Sequence, residues 1–170
     1  NKSKKKAFTD EQIRLLSRTH KPAFLMIQTG MRPGELQWGR WVEAEMVKII
    51  KPVYDDKGKE LWRPKSDSSE RRVVLSSDFQ MPKYKYRQWV DSFRLVIEDF
   101  QWSLHSGRHT FIELSRRAGC DSRIIEEYCG HGSKTGSTSH AGYGRFPDEV
   151  LRREAEKVWT LIDEIVETKA

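Results

Sequence analysis

Apolar residues recur at helical spacing along most of the chain, and one central stretch breaks that rhythm. Thr9 and Gln12 have capping-box spacing ahead of Ile13, Leu15 and Leu16, so a first helix starts there. A second apolar block, Ala23 to Ile27, ends at Thr29 and Gly30, and Pro33 suits the first turn of a further helix containing Glu35, Leu36 and Trp38. Arg32 therefore falls at a tight helix-to-helix junction. Between residues 46 and 75 the period changes. Met46–Ile50, Glu60–Arg63 and Arg71–Leu75 are short strand-like runs separated by the turn formers Asp55–Gly58 and Ser66–Ser69, which predicts a small antiparallel sheet. Trp89, Phe93, Val96, Ile97 and Phe100 then fit a long amphipathic helix whose aromatics belong to the core. A helix from about Ser103 to Ala118 is stopped by Gly119. The next is capped by Asp121 and stopped by Gly130. Finally, Val150, Leu151, Ala155, Val158, Leu161, Ile162 and Ile165 form an apolar stripe on a last helix with an acidic flank, suited to packing in cis on this domain or in trans on a neighbouring copy.

The pattern defines a mainly α protein with a small antiparallel β-sheet, an α+β class. A chain of 170 residues that is 36% hydrophobic supports one sizeable core. Residues 1–7 read as a basic linker or tail, and a start at Asn followed by lysines suggests a fragment cut at a linker. Residues 8–170 read as a single domain, with 147–170 its C-terminal helix. The formal charge is +6. Lys2, Lys4, Lys5 and Lys6 supply four of those charges and residues 147–170 net −3, which leaves +5 on residues 7–146. That excess attracts a polyanion without identifying one. Cys120 and Cys129 have neither zinc-knuckle nor disulfide-framework spacing and read as reduced thiols. No apolar run reaches the ~18 residues of a membrane span, and the opening residues do not read as a signal peptide, so a cytosolic or nucleoid location is expected.

Candidate chemistry concentrates between His105 and Tyr143. His105 and Arg108 stand at i, i+3, His131 follows a helix-ending Gly130, and a Gly/Ser/Thr-rich loop over 132–139 leads to Tyr143. Breaking a phosphodiester requires charge neutralisation at the non-bridging oxygens, a nucleophile, and a proton for the departing oxygen. Arg32 and Arg108 suit the first task, because a guanidinium fork donates two parallel hydrogen bonds and stays charged. Lys65, in a turn-flanked hairpin, suits proton donation, the imidazoles of His105 and His131 suit hydrogen bonding or proton relay, and the Tyr143 phenol suits attack. Taken singly each signal is weak. An Arg beside Pro commonly pairs with an acid, here Glu35, and a lone Tyr is commonly core.

Taken in order, these residues resemble the catalytic domain of the tyrosine recombinases, the phage integrase family. The stretch Thr29 to Leu36 matches that family's first arginine box, including the acid three residues after Arg32. Lys65 sits where the family carries its hairpin lysine, ahead of the basic pair Arg71 and Arg72. The run from His105 to Phe111 resembles the second box, Gly119 to Asp121 its helix break, and Tyr128 to His131 the third box, while Tyr143 falls at the nucleophile's place. The resemblance spans about residues 8–146. It implies that Tyr143 attacks the scissile phosphate, that Arg32 and Arg108 clamp it with support from His105 and His131, and that Lys65 is the general acid. It further implies double-stranded DNA as partner, a homo-tetramer on two DNA sites, a bacterial or phage origin, and chemistry that uses no cofactor, neither ATP nor a metal.

Two departures stand out. Ser106 and Gly107 replace an acid–hydrophobe pair in the second box, and a glycine there is expected to loosen the helix start. The segment from His131 to Tyr143 is longer than the commonest spacing, so His140 occupies the shorter version's tyrosine position and reads as a loop residue or DNA contact. Two alternatives share the motifs: a non-catalytic DNA-binding domain, and a type IB topoisomerase.

Overall fold

A computed structural model describes residues 6–131 and 145–168. Tyr143, His140 and the loop at 132–139 lie outside the described residues. Helices α1 (Asp10–Thr19), α2 (Lys21–Thr29) and α3 (Pro33–Trp38) open the chain, and strands β1 (Arg40–Val42), β2 (Val47–Ile50), β3 (Val53–Tyr54), β4 (Glu60–Trp62) and β5 (Arg71–Val74) follow. Helices α4 (Tyr86–Val96), α5 (Ser106–Arg117), α6 (Ser122–Cys129) and α7 (Asp148–Glu167) complete it.

The local signals act as chemistry dictates. The Thr9 hydroxyl accepts the Gln12 amide at 3.2 Å while the Gln12 side chain accepts the Thr9 amide at 2.9 Å, closing the capping box. His20 starts α2 with its Nδ1 accepting the Ala23 N–H at 3.1 Å, and its Nε2 lies 3.0 Å from the Trp89 carbonyl, so one neutral tautomer satisfies both bonds. Gly30 ends α2 with φ 65°, a left-handed turn that would be strained for a residue with a Cβ.

Helix α2 is the core element. Its buried face, including Leu25, Met26 and Ile27, packs on the buried Phe111 and Leu114 face of α5. Gly107 makes this crossing possible, because a Cβ there would sit 2.7 Å from the Met26 Cβ and 3.2 Å from its backbone carbonyl carbon. The expected loosening of the helix start is therefore replaced by a packing function. Ser106, fully buried, accepts the Ser103 amide on its hydroxyl at 3.0 Å, and Thr110 ties the turn to Phe8. Helix α5 begins at Ser106 rather than near Ser103, since the preceding residues form tight i→i+3 bonds, Ser106 to Ser103 and Gly107 to Leu104.

The predicted single sheet is two. Strand β2 is flanked by β1 and β5, all antiparallel, with Val47 opposite both Val42 and Val74. The Glu60–Trp62 run pairs instead with β3 as a separate hairpin. Lys48, in the middle of β2, is fully buried and donates from Nζ to the Leu36 carbonyl near the end of α3, and burial pulls its pKa down to about 7. Helix α4 stops at Val96, which leaves Phe100 outside it and 74% exposed. Arg94 braces the turn that follows: its guanidinium donates to the carbonyls of Ile97, Asp99 and Trp102 and lies 4.4 Å from the Phe100 ring.

Helix α7 packs against α1, α5 and α6, with Leu151, Ala155, Val158, Ile162 and Ile165 buried in the shared core. Polar ties fix its register: Arg152 to the Leu75 carbonyl at 2.8 Å, Trp159 to the Gln28 carbonyl at 2.8 Å, and Arg72 to Asp148 at 2.8 Å. No helix among the described residues is long and apolar enough to cross a membrane.

Gly107→Ala sets two effects against each other. Better helix propensity favours the variant by up to ~1 kcal/mol, whereas forcing a methyl against Cβ and backbone atoms costs about 1–3 kcal/mol. Net destabilisation is expected in urea or thermal unfolding, and an unchanged or raised midpoint would show that the α2–α5 crossing has room.

Candidate active site

Arg32, Glu35, Lys65, Arg71, His105, Arg108 and His131, from four segments of the chain, gather around the turn at Gly30. That turn does double work. Its carbonyl accepts Arg108 Nη1 at 2.9 Å, and two residues later Arg32 leaves the chain just ahead of α3. Arg32 Nη1 is paired with Glu35 Oε1 at 2.7 Å and reaches the Ser69 hydroxyl at 3.3 Å. Glu35 also accepts the Arg32 backbone N–H at 3.2 Å, so the acid fixes both the helix start and the guanidinium.

The second oxygen of Glu35 is held by Arg71, which is not among the sequence-predicted site residues. Arg71 Nη2 donates to Glu35 Oε2 at 2.7 Å, Nη1 to the Ser69 carbonyl at 2.7 Å, and Nε to the Tyr128 carbonyl at 2.7 Å. Burial pushes the Glu35 pKa up, but Arg71 and then Arg32 outweigh it and hold the carboxyl below its ordinary value. Arg71 is a brace rather than a contact surface, being 3% exposed. Its sequence signal was the basic pair at 71 and 72, of which strand alternation sends one residue inward. Gly130 lies directly over it, since a Cβ there would fall 2.8 Å from Arg71 Nη1. With φ 67°, Gly130 also ends α6 and delivers His131 to the site.

Arg32, Lys65 and His105 line one cavity at the foot of the β3–β4 hairpin, and Arg108, His109 and His131 line a second one along α5. A common electrostatic field joins them. Partial desolvation lowers the pKa of His105, an exposed residue, and the charges of His109, Arg32, Arg108 and Lys65 lower it further. His131 is exposed, yet partial desolvation, then Arg108, Arg32 and Arg71, bring it down to about 4. Arg108, 6% exposed, is drawn down to about 10, chiefly by burial and in part by Arg32, and it remains charged at neutral pH. Its Nη2 is buried with no hydrogen-bond partner among the described residues. Glu35 is the only acid in contact with Arg32, and Arg108 has a carbonyl but no carboxylate partner among the described residues. Such a site has cationic donors in excess, two neutral imidazoles, and one unfilled buried donor, which suits it to receive an anion with several oxygens. Among the described residues no three His, Cys, Asp or Glu side chains gather in a way that could hold a metal ion.

The architecture is that of a tyrosine recombinase catalytic domain. It is similar to the Tn1549 transposon integrase, residues 82–397, in complex with circular intermediate DNA, with a TM-score of 0.52 and 15% identity over 93% of this chain and 68% of that one. A variant of that integrase in complex with transposon right end DNA is similar at a TM-score of 0.53 and 16% identity, over 92% of this chain and 67% of that one. At this identity the likeness is one of fold. Neither a protein-family model nor a curated protein sequence matches the chain.

Two outcomes test this electrostatic arrangement. Arg71→Met strips a buried carboxylate of one partner and leaves two buried carbonyls short of a donor, for an expected loss of about 3–5 kcal/mol in chemical denaturation. A loss near zero would remove Arg71 as the brace. In an NMR pH titration, His131 should protonate near pH 4 without added anion and at higher pH with sulfate present. Folding linkage has a matching sign: with the folded pKa below the unfolded value of 6.5, the folded state binds fewer protons, so this group's contribution to stability falls as pH drops from about 6.5 toward 4. Titration of His131 near 6.5 without anion would show that the cations do not surround it.

Proposed function

We propose that this chain is the catalytic domain of a site-specific DNA recombinase or integrase, cleaving and rejoining DNA strands through a 3′-phosphotyrosyl intermediate. The observation that carries the proposal is the buried Arg108 guanidinium, anchored on one side by the Gly30 carbonyl and, on the other, without a hydrogen-bond partner among the described residues. It shares its field with Arg32, and a phosphate satisfies the open donor while relieving the repulsion between the two cations. The similar solved structures are integrases in complex with DNA, which supports double-stranded DNA as the partner here.

In this proposal Tyr143 attacks the scissile phosphorus. The new tyrosyl P–O bond forms as the bond to the 5′ oxygen breaks, and Lys65 supplies that oxygen's proton. Arg32 and Arg108 stabilise the charge growing on the non-bridging oxygens. His105 and His131 are neutral before DNA arrives, so each can donate one hydrogen bond to the phosphate. Phosphate binding raises their basicity and lets one accept the phenol's proton. Attack by the 5′-hydroxyl of another strand reverses the step, conserving the bond energy without ATP or a metal. Exchange between duplexes requires a homo-tetramer on two DNA sites, in the cytoplasm or nucleoid of a bacterial cell.

A pool of nicked duplexes with randomised sequence, analysed on denaturing gels, tests the chemistry. The unmodified protein should form a covalent adduct, Tyr143→Phe none, and Arg108→Ala about 10²–10³-fold less, the scale of a lost transition-state donor. Equal adducts from all three would overturn Tyr143 and Arg108 as the groups that carry cleavage, and salt-sensitive binding with no adduct from any would overturn strand cleavage and leave only a DNA-binding domain. Relaxation of plasmids regardless of sequence would assign the same chemistry to a topoisomerase.

A further inference from the structure

The cavity that holds Arg32, Lys65 and His105 has an aromatic side that phosphate chemistry does not use. Trp38, Trp62 and Tyr86 line the same space, whose volume of about 380 Å³ lies within the ~300–1,000 Å³ typical of small-ligand sites. Contacts with α3 place Trp62 and the start of the helix that carries Tyr86. A Cβ at Gly34 would fall 2.8 Å from the Trp62 indole nitrogen, so the indole lies against the first turn of α3, directly after Arg32. Tyr86 opens α4 with its amide donating to the Gln37 side chain at 3.0 Å. Two residues earlier Tyr84 turns the chain with φ 72°, an uncommon conformation for a bulky residue. Tyr86 itself remains 41% exposed. Arg63 also lines the cavity, but Glu60 engages its guanidinium at 2.8 Å.

The geometry points to a subsite for one unstacked DNA base, belonging to the nucleotide whose phosphate Arg32 and Lys65 hold. Flat indole and phenol rings offer faces on which any base stacks, and the cations in the same cavity select a ligand that carries phosphate beside its ring. An uncharged apolar ligand would leave those cations unanswered, and a bare anion would leave the rings unused. This subsite rests on the DNA-strand proposal above, and it adds that the domain draws a base out of the helix beside the site of cleavage.

Affinity measurements at several salt concentrations with three probes separate the two ideas: a mixed-sequence duplex, a short thymidylate strand, and an abasic phosphodiester strand of equal length. The unmodified protein should bind all three with strong salt dependence and prefer the base-bearing strand over the abasic one by about tenfold, the size of one stacked base. Trp62→Ala and Tyr86→Ala should each bring that ratio toward one, while Trp62→Phe keeps most of it. Because Tyr86 is half exposed, its removal spares the core. A ratio near one in the unmodified protein, alongside intact duplex binding, overturns the subsite and leaves the DNA proposal standing. A preserved ratio in both alanine variants overturns its placement in this cavity, and failure to bind any strand overturns both ideas.

Discussion

A single buried carboxylate, that of Glu35, sets the geometry on which the rest of the site depends. It is 1% exposed and would be costly in isolation, since several kcal/mol of solvation are lost per buried ion. Two guanidinium groups and a backbone N–H offset that cost. The result is directional as well as energetic. One oxygen aims Arg32, and the other holds Arg71, which in turn bonds the carbonyls of Ser69 and Tyr128. Segments around residues 32, 70 and 130 are thus held by one set of hydrogen bonds, and positions separated by about a hundred residues become neighbours.

This arrangement leaves the domain with more positive donors than acceptors. Arg108 is buried, Arg32 is partly buried, and both imidazoles are pushed toward neutrality by their surroundings. Preorganised donors raise the free energy of the empty site and lower that of any state in which negative charge enters it. The tightly packed crossing at Gly107 and the buried face of α7 provide the rigid frame against which that tension is held.

Much of this was legible in the sequence because it depends on local rules. The capping box at Thr9, the helix stops at Gly30 and Gly130 and the apolar stripe of α7 all follow from backbone chemistry or periodicity. The misses share a cause in tertiary contacts. Phe100 fits the helical period, yet the chain turns after Val96 and Arg94 braces that turn through the carbonyls of Asp99 and Trp102. Gly107 reads as a helix weakener until α2 is seen against it. Arg32, Lys65, His105, Arg108 and His131 were singled out by their order along the chain, whereas Arg71 carried no motif signal strong enough to separate it from Arg72. Strand alternation gave the hint, but which of the two faces inward depends on the register of β5 with β2.

The close approach of Gly130 to Arg71 has an evolutionary consequence. A side chain at 130 would displace the guanidinium, and a shorter residue at 71 would abandon Glu35, after which Arg32 would lose its orientation. These four positions cannot drift one at a time. Among homologous chains they should change together or stay put, an inherited block whose members are scattered through the gene.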